Sequence, residues 1–78
     1  MKYSLWAGEH YVQSSDDGKR LQCNTNQLRT WCDAMSIDVI PAKLVVKDNQ
    51  KDATLAVAEF TQGCAIRWKT PENARKTS

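Results

Sequence analysis

Four side chains in this sequence could carry nucleophilic or metal chemistry: His10, the one histidine, and Cys23, Cys32 and Cys64. A thiolate beside an imidazole is a nucleophile, and three thiolates with one imidazole make a tetrahedral zinc site. The spacing supports neither. No glycine-flanked elbow presents any of the thiols. Zinc sites in small domains draw ligands from close pairs on tight turns, and no such pair occurs here. Cys32 and Cys64 fall in phase with apolar stripes, where a cysteine behaves as a small hydrophobe. Gly8, Gly18 and Gly63 stand apart and form no phosphate-cradling loop. Asp16-Asp17 reads as a turn pair whose carboxylates cap backbone donors. The expectation is a non-enzymatic chain with no catalytic residues, no metal and no cofactor.

The basic and aromatic residues are more informative. With Lys43 and Lys47 on the outward side of one strand and Arg67 and Lys69 on a neighbouring one, four of the 11 Lys and Arg residues share a face. Lys19-Arg20 would extend it. Such a stripe can follow phosphates while Trp6 or Tyr11 stacks on bases, or it can meet an acidic protein. A charged outer face also serves solubility alone and keeps sheet edges apart, and Asp38, Asp48, Asp52 and Glu59 dilute the charge.

In the first strand Tyr3 and Leu5 point one way, Ser4 and Trp6 the other. A sheet covered on one side leaves one set exposed, and exposed Trp and Tyr are frequent interface anchors. Alternatively, a bend at Gly8 buries both sets.

The elements that must position these residues follow from pattern. Residues 2–15 are rich in aromatic and β-branched types and read as strand, with Gly8 as a bulge or tight turn. Asp17-Gly18 signals a hairpin, with Lys19 to Cys23 as its return strand. Asn24 with Gln27 fits a capping box, and Leu28, Trp31, Cys32 and Met35 recur at helical period, so a helix should run to about Ser36-Ile37. Pro41 prevents its continuation. Ala42 to Lys47 reads as a strand with Leu44 and Val46 on one face and Lys43, Val45 and Lys47 on the other. Asp48 to Asp52 is a loop. Residues 53–62 suit a strand or a helix; the strand is preferred, because a third partner stabilises an otherwise isolated hairpin. Cys64, Ile66 and Trp68 alternate with Ala65, Arg67 and Lys69 as a half-buried strand.

The expected fold is α+β: a small antiparallel sheet, made of an N-terminal hairpin and a C-terminal meander, with one amphipathic helix packed on one face. Residues 1–69 should form a single compact domain, and 70–78 a polar, disordered tail. At 78 residues and 8.8 kDa the chain has a marginal core, which leaves homodimerisation as a route to further burial. Net charge is +2 and mean hydropathy −0.61. No run approaches the ~18 apolar residues of a membrane span, and the first residues lack a secretory h-region. Three cysteines without close pairing suit reduced thiols in a cytoplasm. These features lead to a protein-binding module, an inhibitor or regulator of a larger complex; compact domains of this size without cofactor motifs are common among phage and mobile-element accessory proteins, for which that complex would be the host's. The binding residues would be Trp6, Tyr11, Lys43, Lys47, Arg67 and Lys69. A nucleic-acid-binding domain using the basic sheet face is the second reading; a membrane partner is not expected.

Overall fold

The structure, a computed structural model, describes residues 1–71. Among them five strands form one antiparallel sheet: β1 (Tyr3–Ala7), β2 (His10–Ser15), β3 (Lys43–Asp48), β4 (Ala53–Glu59) and β5 (Arg67–Lys69). Their spatial order is β2-β1-β3-β4-β5. One helix, α1 (Thr25–Ala34), lies between β2 and β3 in the chain. The fold is thus α+β, as the residue pattern predicts. The expected tail lies, from residue 72 onward, outside the described residues.

β2 and β3 both pair antiparallel with β1, which lies between them. They therefore run parallel to each other, and the chain needs a crossover to join them. That crossover carries α1 over one face of the sheet.

The N-terminal hairpin turns earlier than Asp17-Gly18. β1 and β2 are joined through Gly8-Glu9, with Ala7 opposite His10. Gly8 has φ +62, the left-handed backbone that mirror-image hairpin turns use, and a Cβ there would lie 3.0 Å from Pro41. Asp17-Gly18 opens a single 3₁₀ turn (Gly18–Leu21) instead of a hairpin, and Lys19 to Cys23 is not a strand. The Asp17 carboxylate explains the difference: it accepts from the Lys19 N–H, satisfying a helix-start donor. Gly18 keeps a negative φ, and its small size matters because Tyr3 and Leu55 approach it closely.

α1 begins with the expected capping box. Asn24 accepts from the Gln27 N–H at 2.8 Å, and the Gln27 side chain accepts from the Asn24 N–H at 3.1 Å. Leu28 and Cys32 are buried and Trp31 is half-buried, but Met35 is 41% exposed. Met35 is the C-cap, so the chain has already left the helical path and rotated it off the stripe. Ile37 supplies the apolar contact instead. Its N–H donates to Cys32 O at 2.8 Å while Ser36 N–H donates to Asp33 O at 3.1 Å, the paired bonds of a Schellman ending.

Residues 53–59 take the strand form. Ala56 and Ala58 stand opposite Val46 and Leu44, and all four are buried. The last strand is shorter than the alternation from Cys64 to Lys69 suggests. Only Arg67–Lys69 pair with β4, and Gly63, at φ +85, lies in a turn. Cys64 is consequently exposed rather than part of an apolar stripe.

The core lies between the sheet and the crossover. Leu5, Ala7, Leu44, Val46, Ala56 and Ala58 from the strands meet Leu21, Cys23, Leu28 and Cys32 from the connection. Trp68 packs against this cluster and donates from Nε1 to Cys23 O at 2.9 Å, tying the short last strand to the segment before α1.

Candidate functional site

Side chains alternate across a strand, so residues directly opposed on neighbouring strands share a face. The register sorts the face away from α1 into rows. Tyr11, Trp6, Val45, Val57 and Lys69 form one row across all five strands. Lys43, Glu59 and Arg67 form a second, and Ser4, Lys47 and Thr54 a third. At a strand spacing of ~4.8 Å the first row spans roughly 19 Å. All six residues singled out in the sequence, Trp6, Tyr11, Lys43, Lys47, Arg67 and Lys69, stand on this one face.

Lys19 and Arg20 do not join them. The 3₁₀ turn that holds them packs against β1, β2 and β3, with Leu21 in the core.

Trp6 is half-buried and held on several sides. Its indole Nε1 donates to Ser4 Oγ at 2.9 Å, and Ser4 in turn donates to Asn49 Oδ1 at 2.7 Å. Asn49 is anchored to the N-terminal backbone through Met1 O at 3.1 Å and Lys2 O at 2.9 Å. The Tyr11 ring meets Trp6 edge-on, with centroids 5.8 Å apart and planes at 72°. Lys47 Nζ lies 5.3 Å from the centroid of the indole, within cation–π range. The Tyr11 hydroxyl is hydrogen-bonded to the Ser14 hydroxyl, yet Tyr11 remains 42% exposed.

Val45 and Val57 are half-buried beside Trp6 and contribute nothing to the core cluster on the other side of the sheet. Lys43, Lys47, Arg67 and Lys69 are exposed around them, with Glu59 the acid in the rows. Near the β5 end the face dips into a shallow depression lined by Lys43, Glu59, Thr61, Cys64, Arg67 and Lys69, among others. The arrangement is an apolar centre with a charged rim, biased to positive.

Two of the three thiols, Cys23 and Cys32, are placed for packing. Burial pushes the Cys23 thiol up to about 11, and the Cys32 thiol is raised first by burial and then by Asp33. An activated nucleophile needs the opposite shift. His10 is exposed beside the hairpin turn. Among the described residues no group of three or more His, Cys, Asp or Glu side chains could hold a metal ion. No helix among them is long and apolar enough to cross a membrane.

No family model matches the chain, and neither curated proteins nor solved structures give a match. The site therefore rests on its own geometry.

Residue pattern puts Ser4 on the Trp6 side of β1 and counts Glu59 among the acids near the cations, but it does not find Val57 or Asn49 as members of this face, nor Glu59's place between Lys43 and Arg67. Val57 and Glu59 lie in the segment whose strand and helix readings compete. Ser4 and Asn49 meet only because β1 and β3 are neighbours, and nothing local in either stretch announces it.

Proposed function

We propose that this protein is a non-enzymatic binding module that acts by docking its open sheet face on another protein, as a small inhibitor or regulator of a larger complex. One observation carries the reading: a half-buried apolar centre of Trp6, Val45 and Val57, with Tyr11 exposed beside it, ringed by exposed charge on a face that no part of the described chain covers. Protein interfaces have this anatomy, an aromatic-rich centre inside a polar rim. Two valines at the middle favour it over a nucleic-acid surface, because an aliphatic side chain offers no stacking platform for a base. The hydrogen bond and cation–π contact on Trp6 mean that the anchor is ordered before a partner arrives, which reduces the entropy lost on binding. Accessory proteins of phages and mobile elements, which block or redirect a host machine, are the functional class in which such a module fits.

The test is a pull-down with the tagged full chain from lysate of its source cells, run beside Tyr11→Ala and with half of each sample nuclease-treated. A stoichiometric protein that survives nuclease and disappears with Tyr11→Ala is the expected result. Capture that Tyr11→Ala leaves untouched would remove the face from the mechanism.

Four exposed cations on one face support a second reading, contact with nucleic-acid phosphates. It requires oligonucleotide affinity that falls linearly with salt on logarithmic axes. A flat response excludes it.

A further inference from the structure

The charge on the open face is unevenly spread, and its distribution bears on what the partner looks like. This inference rests on the docking role proposed above and specifies the partner's chemistry.

Across the rows the formal charges are Lys43, Lys47, Arg67 and Lys69 against Glu59 alone. Glu59 stands directly between Lys43 and Arg67, each on a neighbouring strand, so that row alternates in sign and one of its two positive charges is offset. Lys69 has a different setting. Its cross-strand neighbour is Val57, which cannot offset its charge. Lys47 lies between Ser4 and Thr54, with its ammonium over the Trp6 ring. Two cations without a carboxylate directly opposite thus flank the apolar centre, Lys47 on the Trp6 side and Lys69 on the Val57 side. A solvated face kept only for solubility has no need of half-buried apolar side chains between such cations.

We propose that the partner is an acidic helical segment, one face of which carries apolar side chains that cover Trp6, Val45 and Val57, flanked on that same face by carboxylates that reach Lys47 and Lys69. A helix of about a dozen residues, at ~1.5 Å rise per residue, is long enough to cross the face. Charge complementarity of this kind acts mainly on encounter rate and on rejection of wrong partners. A basic or neutral segment would leave the positive rim unanswered, and a nucleic acid would leave the valines against its phosphates or sugars.

Glu59 supplies an independent handle. It repels the proposed partner, so its neutralisation should strengthen binding, whereas it would be indifferent to a neutral partner.

The experiment is selection of displayed random peptides of about a dozen residues on the immobilised full chain, followed by titration of synthetic winners. Enriched sequences should carry two or more Asp or Glu interleaved with apolar residues. Their affinity should fall on the order of tenfold in the Lys47→Glu/Lys69→Glu variant and rise a few-fold in Glu59→Gln, each variant still melting in one cooperative transition well above the assay temperature. Neutral or basic winners that still require Tyr11 would overturn the acidic-segment proposal and leave the docking role standing. Winners indifferent to both Tyr11→Ala and the charge reversal, or no winners at all, would overturn the proposal together with the face itself. A parallel titration with a thymidine oligonucleotide that binds more tightly than any peptide would overturn it in favour of nucleic acid.

Discussion

The indole N–H of Trp6 donates to the hydroxyl of Ser4, two residues earlier on the same side of the same strand, at 2.9 Å. Ser4 is the buried polar side chain of that face, and it passes the chain on to Asn49 at 2.7 Å. Removing this buried hydroxyl loses two hydrogen bonds and leaves the indole N–H of half-buried Trp6 without its acceptor, while exposed Asn49 can turn to water.

Ser4→Ala therefore should lower stability by about 1–2 kcal/mol, read as a reduced denaturant midpoint with an unchanged slope. It should also loosen the orientation of Trp6 and weaken partner binding without altering any rim charge. A variant as stable as the parent would show that the Trp6–Ser4–Asn49 chain contributes nothing to the fold.

Local signals were sufficient for the elements whose physics is local. Asn24 and Gln27 lie three residues apart and satisfy each other's backbone donors, so the helix start is readable from the chain alone. The alternation of Leu44 and Val46 with Lys43, Val45 and Lys47 likewise reports which side of β3 faces the core. Asp17-Gly18 misleads because one dipeptide serves two turn chemistries: here the Asp17 carboxylate caps the Lys19 N–H of a 3₁₀ turn, and Tyr3 and Leu55, from distant parts of the chain, lie close to Gly18. The six face residues could be named because strand alternation gives each its side. Which strands become neighbours is set by the crossover, and that is why the places of Val57 and Asn49 on this face are not legible in the residue pattern.

Thiol accessibility should divide the cysteines. Cys64 is exposed, whereas Cys23 and Cys32 are buried. In native protein an alkylating reagent should modify one thiol rapidly and the other two only under denaturing conditions. Peptide mapping by mass spectrometry checks the assignment, and rapid labelling of Cys32 would contradict the packing of α1 on the sheet.

Alkaline pH should destabilise the fold through Cys23. The unfolded chain releases that proton near the ordinary thiol value of 9.0, while the folded state holds it until about 11. Between those values the unfolded state binds fewer protons, so this contribution is fully present below pH 9 and is lost as pH rises. The slope from one such group reaches at most ~1.4 kcal/mol per pH unit. Cys32 is raised as well and acts in the same direction. Denaturant melts across this range should decline less steeply in Cys23→Ala than in the parent; parallel declines would assign the effect to other groups.

Ser36 carries φ 59 at the position just past the α1 cap. Left-handed backbone costs an ordinary residue ~1 kcal/mol or more, a cost glycine avoids, offset in part by glycine's larger unfolded-state entropy. Both Schellman bonds are already formed by backbone groups, so a substitution here leaves them intact. Ser36→Gly should raise stability by up to ~1 kcal/mol, seen as an increase of several degrees in thermal midpoint. A decrease would mean that the Ser36 side chain makes a contribution larger than its backbone strain.

Trp6 and Tyr11 touch edge-on, yet they should respond differently to truncation. Trp6 is half-buried, donates to Ser4 and lies under the Lys47 ammonium, so Trp6→Ala removes structure as well as contact area. It should destabilise the fold by roughly 2–3 kcal/mol and abolish binding, a combination that cannot separate anchoring from folding. Tyr11 lies on the edge strand with 42% of its surface exposed, and its hydroxyl bonds to the neighbouring Ser14. Tyr11→Ala should cost about 1–2 kcal/mol of stability, less than Trp6→Ala, because a larger share of Tyr11 is already exposed. If the open face is the docking surface, the same substitution should weaken partner binding at least about tenfold, since exposed aromatic anchors are where truncation is felt most. Calorimetric titration against the captured partner, beside a denaturant melt of the same preparation, measures both quantities. Binding unchanged in a folded Tyr11→Ala protein would take the interface off this face of the sheet, whereas binding lost in a protein that still melts cooperatively would identify Tyr11 as a contact residue.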